Sequence, residues 1–412
     1  MPTMNEQEAV DIPERVLAIG ATIEPNTPNW RLQVAAFAHK FFSLQHSETA
    51  ARWIGKTLKP NVVDPWAVID FLHYLTKIGV RTAGGGEDIT PILGAMERAG
   101  LLIAAGWHPE FTLLGQQYIS QHVPSIQKNG EGVLWLSEVL GAELIIPEYQ
   151  KATALVYATD SEGHPAGGAG TGLVLDSRHL ITNKHVIEEL AALGGGIGIY
   201  LPGVRPGRDT GALELRVKCH NDLDVAVIET AADTFFPIDG LAFRDPEWSD
   251  EVYVFGYPRV PMTAESVITV QRGEVVNPAT ETPATVDAAR QKIFLYSAIA
   301  RPGNSGGPIV AHDGCVIGLV VETSSASANS SVARSHSLTQ SPEGRVGELE
   351  RKVENLEAQV SAGTFYRGIP ASEIMRVLTD FGIRAAAKFV NVDPPDKGPN
   401  GIATVHFGEV AE

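Results

Sequence analysis

The chain has 412 residues, 44% of them hydrophobic and 20% charged, with 32 Lys and Arg against 49 Asp and Glu and a net charge of −17. That length allows two or three domains with sizeable cores, and the acidity argues against a general binder of nucleic acid or anionic membrane. With Cys219 and Cys315 as the only cysteines, no disulfide framework can hold the fold, and two unpaired buried thiols in a reducing compartment are expected. Residues 1–11 hold Glu6, Glu8 and Asp11 and no basic residue, so they lack the basic start of a signal peptide. No uncharged apolar run reaches the ~18 residues of a membrane span. A cytoplasmic protein without a membrane partner is the expectation.

Residues 30–125 read as helical. Leu32, Ala35, Phe37 and Phe41 fall at roughly helical spacing. Asp64-Pro65 predicts a helix start that runs from Trp66 and fades at Gly79. Ile89-Thr90-Pro91 predicts another helix, ended by Gly100, and Leu101-Leu-Ile-Ala-Ala has the look of a short strand. Helix, turn, helix and strand predict a winged-helix-like module. Between Asp64 and Gly106 it carries Lys77, Arg81 and Arg98 against Asp64, Asp70, Glu87, Asp88 and Glu97. That balance points to a regulatory or protein-interaction role rather than to DNA. His39, His46, His73, His108 and His122 lack metal-ligand spacing and read as surface or core residues; no metal or cofactor is expected.

After a junction near Asn129-Gly130 the pattern changes to short β-branched runs separated by glycines. Strands are predicted at 154–158, 172–175, 179–182, 197–201, 215–218, 225–228, 252–255, 267–270, 293–296 and 316–321. So many short strands at near-regular spacing mean an antiparallel sandwich or barrel. Residues 324–341 are rich in Ser and Ala and read as a linker. Val346, Leu349, Val353, Leu356 and Val360 then form a heptad pattern among charged residues. Packing of this 346–360 helix on its own protein and self-association into a homo-oligomer are both open. Phe365-Tyr366 returns to strand character, and a closing helix starts after Pro370.

The chemistry gathers around Arg301-Pro302-Gly303-Asn304-Ser305-Gly306-Gly307-Pro308. Glycine before a serine lets backbone N–H groups turn toward one point, where a developing oxyanion can be held. A base is offered by Thr-Asn-Lys-His185-Val and an acid by Leu-Asp224-Val-Ala-Val. His164, His220 and His312 are rival bases, Asp222 a rival acid and Ser297 a rival nucleophile, each without matching context.

With these pieces the chain resembles the trypsin-like, chymotrypsin-fold serine proteases. It looks closest to the bacterial cytoplasmic and HtrA-like branch, without a recognisable PDZ domain. The order His, Asp, Ser fits that fold rather than subtilisins or α/β-hydrolases. Gly170-Thr-Gly, Val254-Phe-Gly-Tyr-Pro and Gly318-Leu-Val-Val support the match. The resemblance implies a double six-stranded β-barrel over residues 145–325 and 362–385. A helical domain (1–140) would precede it, a linker and heptad helix (326–361) would be inserted, and 386–412 would form a tail. It implies a triad of His185, Asp224 and Ser305, an oxyanion hole at Gly303, Asn304 and Ser305, and a protein or peptide substrate. A specificity pocket would be lined by Ile299, Val320, Val321 and Thr364, with no Asp at its base, which disfavours cleavage after Arg or Lys. Digestive members carry Asp where this chain has Asn304, so activation by a newly cut N-terminus is not expected. Control through the N-terminal domain, or a partner bound to it, is expected instead. The alternative is a catalytically silent scaffold that uses the protease fold for recognition.

Overall fold

The computed structural model describes residues 23–44, 46, 48–58, 62–82, 85–121, 132–201, 215–260, 263, 266–282, 290–321 and 365–383, with short strands at 388–390, 396–397 and 403–404. The predicted heptad at 346–360 and the linker before it lie outside these residues. So does Thr364.

Helix α1 (Pro28–Phe41) starts where Thr27 accepts the Trp30 N–H and proline occupies the first turn. Helices α2 (Glu48–Ile54), α3 (Val68–Ile78) and α4 (Thr90–Arg98) follow. Helix α3 starts later than Asp64-Pro65 predicts. Strand β1 (Trp66–Ala67) intervenes and pairs with β3 (Gln116–Ser120), and the Asp70 carboxylate then takes the Ala67 N–H at 2.8 Å. Gly79 ends α3 in the left-handed region at φ 83°. The predicted strand after Gly100 is β2 (Leu102–Trp107), which forms an antiparallel hairpin with β3. Trp30, Phe37, Phe41, Phe42, Trp66, Phe71 and Leu75 close the core beneath, each nearly or fully buried. Burying one such side chain contributes about 1.5–3 kcal/mol.

The first β unit is a six-stranded antiparallel sheet in the order β7-β4-β5-β6-β9-β8. Its strands are β4 (Thr153–Thr159), β5 (Pro165–Val174), β6 (His179–Thr182), β7 (Gly196–Tyr200), β8 (Leu215–Cys219) and β9 (Ala226–Thr230). The second unit runs β14-β11-β12-β13-β16-β15, and a β14–β15 pairing closes it into a six-stranded barrel. It comprises β11 (Glu251–Gly256), β12 (Thr269–Glu281), β13 (Lys292–Tyr296), β14 (Pro308–Ala311), β15 (Val316–Val321) and β16 (Tyr366–Pro370). Strand β10 (Ala242–Arg244) adds to β15 in parallel. Of the two barrels expected, the second unit is closed; among the described residues the first is a six-stranded sheet whose edge strands β7 and β8 do not pair.

One stretch was not legible. Residues 134–152 form a 3₁₀ turn (Leu134–Leu136) and helices α5 (Ser137–Leu140) and α6 (Ala142–Ala152), although Pro147 lies inside α6 and no helix was expected there. Proline removes one backbone donor, and burial compensates. Leu134, Ile145, Tyr149 and Ala152 point into the β core, while Val133, Leu136 and Leu144 belong to the helical core. The segment is therefore a wall common to both. Both cysteines are free, with Cys315 buried and Cys219 partly so. Among the described residues no helix is long and apolar enough to cross a membrane.

Candidate active site

Strands β6 and β9 are antiparallel neighbours, with Thr182 opposite Ala226. The residues just after β6 and just before β9 therefore leave the sheet at the same end. Helix α7 (Lys184–Ala191) begins there and carries His185 in its first turn; the turn before β9 carries Asp224. One Asp224 oxygen accepts the His185 backbone N–H at 2.8 Å, and the other lies 2.6 Å from its ring Nδ1. The Asn183 side chain donates to the Asp224 carbonyl at 2.9 Å and holds the turn from behind. The rival Asp222 is exposed on the same turn. Burial disfavours the charged imidazole, but the hydrogen bond and charge of Asp224, aided by Glu189 and Glu188, outweigh it and raise the His185 pKa above 6.5.

Ser305 lies on the loop before β14, and this loop is fastened to the first β unit through Thr171. The Thr171 N–H donates to the Ser305 carbonyl at 2.8 Å and its hydroxyl to the Gly303 carbonyl at 2.6 Å. The Tyr257 N–H donates in turn to the Thr171 hydroxyl at 3.0 Å. Thr171, singled out in sequence only as part of a supporting Gly-Thr-Gly, is thus the clasp between the β units. Gly306 sits so close to the Thr171 carbonyl, the Thr182 hydroxyl and the Asn183 N–H that no Cβ would fit. The Ser305 loop therefore rests against the strand end that leads into His185. Ser305 is largely buried, and the His185 and Asp224 side chains are about a quarter exposed.

Gly303 has φ +103°, and a Cβ there would collide with the Tyr257 carbonyl. Among the described residues nothing takes its N–H. Asn304 corrects the expectation of a third anion-binding amide. Its N–H donates to the Arg301 carbonyl at 2.9 Å and closes the turn, while its side chain is buried against Gly256. Among the described residues no cluster of His, Cys, Asp and Glu is placed to hold a metal ion.

Residues 170–319 match the trypsin-like peptidase domain family. These residues carry a trypsin-like peptidase domain. No curated protein matches the chain. Among solved structures, the inactive form of the Rv3671c protease is similar at 16% identity and TM-score 0.38, covering 58% of this chain and 92% of that one. The active form of Rv3671c protease from M. tuberculosis is similar at 16% identity and TM-score 0.40, covering 58% and 85%.

Within the protease domain the remaining predicted residues are spread out. Ile299 is 46% exposed on the segment leading to the Ser305 loop. Val320 is fully buried in the second barrel, so its side chain lines no cleft. Its backbone steadies the loop instead: Gly306 N–H donates to the Val320 carbonyl, and Val320 N–H to that of Gly307. Val321 is partly buried against the main core. A cavity of about 290 Å³ flanks α7, lined by Ala169, Val186, Leu190, Leu193 and Arg259.

Proposed function

We propose that this chain is a serine endopeptidase working through His185, Asp224 and Ser305. Ser305 Oγ attacks the scissile carbonyl while His185 takes its proton, and His185 then returns that proton to the leaving amine. Asp224 holds the ring in the productive tautomer and stabilises the imidazolium. The N–H groups of Gly303 and Ser305 receive the oxyanion. Water then hydrolyses the acyl-enzyme by the same base. The observation that carries this reading is the double grip of Asp224 on the backbone and ring of His185. The absence of a family Asp at the pocket base, with Ile299 on its approach, favours apolar or small side chains before the cut.

We further propose division into a helical, winged-helix-like regulatory domain and a protease domain, the first acting on the second through the common wall. Tyr149 Oη donates to the Gly314 carbonyl at 2.7 Å, and Glu138 pairs with His312 at 3.7 Å. Both contacts fall on the turn between β14 and β15, the two strands whose other ends hold the Ser305 loop. Labelling with a fluorophosphonate tests the activity: a Ser305-dependent adduct is expected. Its persistent absence, with and without residues 1–122, would favour the silent scaffold.

A further inference from the structure

Six residues connect β8 to β9, and the triad acid is the fifth of them. A short turn that begins with two exposed residues, Asn221 and Asp222, could by itself hold a carboxylate only loosely. Here its interior is filled by an imidazole. His220 is 8% exposed; its Nδ1 accepts the backbone N–H of Leu223 at 3.0 Å and of Asp222 at 3.3 Å. The His220 backbone N–H donates to the Val225 carbonyl at 2.9 Å. This is the work that an Asn or Asp side chain performs in an Asx turn, done by a larger and stiffer ring. Two backbone donors converge on Nδ1, so that nitrogen carries the lone pair and the ring proton sits on Nε2. Nε2 lies 3.2 Å from Asp380 Oδ2. Asp380 ends helix α8 (Ala371–Asp380), which packs on β15 and β16 of the second barrel, and Phe381 lies against the imidazole with centroids 6.0 Å apart.

We infer that His220 is a positioning residue for Asp224, and that Asp380 fixes its tautomer from the other barrel. The inference rests on the triad reading given above. Leu223 and Val225, the neighbours of Asp224, are buried, so the turn has anchors on both sides and one hydrogen-bonded post inside. Remove the Nδ1 acceptor and two backbone N–H groups beside the acid lose their partner. The turn must then open to satisfy them, and the two contacts of Asp224 to His185, at 2.8 and 2.6 Å, cannot both survive. In the sequence alone, His220 reads only as a rival base. Its geometry gives it a different task, because both ring nitrogens are already engaged within the turn and with α8. The pair also joins the acid of one barrel to a helix seated on the other.

Three full-length variants test this. His220→Phe keeps a flat ring and loses the acceptor; His220→Asn restores an acceptor at the turn; Asp380→Asn leaves the ring but weakens the hold on its tautomer. Peptide-ester turnover and the NMR resonance of the His185 Nδ1 proton are followed in each. For His220→Phe we expect kcat to fall roughly 10- to 100-fold with KM within about twofold, short of the ~10⁴ lost on neutralising a triad acid. The acid limb of kcat/KM should move to lower pH, and the Nδ1 proton signal should weaken or shift. His220→Asn should recover most of each, and Asp380→Asn should show a smaller change of the same kind. An unaltered proton signal and pH limb in a folded His220→Phe would overturn the assignment. If the wild type shows no Ser305-dependent turnover, the peptidase reading falls, and the proton signal still decides whether His220 positions Asp224.

Discussion

The Asp224 carboxylate receives the His185 backbone N–H with one oxygen and the His185 ring with the other. A helix start and a turn before a strand are thereby locked through a single side chain, and the imidazole cannot rotate without breaking a contact that also holds its own backbone.

Replacing Asp224 by Asn should lower kcat by about 10⁴, as the amide would favour the wrong tautomer. The same change gives a pH signature. His185 must be neutral to act as a base, so activity falls as pH drops through its raised pKa, and the wild-type acid limb should lie above pH 6.5. Without the carboxylate the main influences that raise the pKa are lost, and burial is opposed only by the weaker charges of Glu189 and Glu188. The pKa then falls, so the residual activity of D224N should persist to lower pH. A profile of kcat/KM against pH checks both directions.

Gly303→Ala should disable the proposed oxyanion site. Alanine tolerates φ +103° poorly and its Cβ would meet the Tyr257 carbonyl, so the turn must rearrange and carry the Gly303 N–H with it. A loss of about 10²–10³ in kcat with little change in KM is expected, the size seen for one lost oxyanion donor. Steady-state kinetics on a peptide ester reads it.

Thr171→Val should separate the two β units at the active site. Valine keeps the shape and removes the hydroxyl between the Gly303 carbonyl and the Tyr257 N–H. Stability should fall by about 1–3 kcal/mol for the orphaned groups. Fluorophosphonate labelling should slow in the folded fraction, which urea titration measured beside labelling rates would resolve.

Arg244 is buried, makes two hydrogen bonds to Asp250 at 2.8 Å, and reaches Asp313 with Nε at 2.6 Å. Asp250→Ala leaves part of that charge uncompensated and should cost roughly 3–5 kcal/mol. His185, Asp224 and Ser305 lie elsewhere, so labelling at low temperature should survive while the melting temperature drops.

The proposed triad can be read from the sequence because three short motifs in a fixed order each name one residue, and the strands around them alternate clearly enough to count. What lay hidden depends on contacts between distant segments. Asn304 was grouped with the anion-binding amides because the loop sequence cannot show that its N–H closes back on Arg301. Val320 was placed in a pocket by its neighbourhood in sequence, whereas the closed barrel turns its side chain inward. Helix α6 was obscured by Pro147, whose local penalty is overridden by Ile145 and Tyr149 entering the β core. The positioning roles of Thr171 and His220 needed the register of β5, β8 and α8 to come into view.

The wall formed by residues 134–152 has a bearing on how such a chain can change over generations. A sensor joined by a loose tether can be exchanged for another by simple recombination at the tether. Here Leu134, Ile145 and Tyr149 complete the protease interior, while Val133, Leu136 and Leu144 complete its neighbour. A replacement module would have to arrive with a helix already fitted to both, so the two halves are expected to be inherited together.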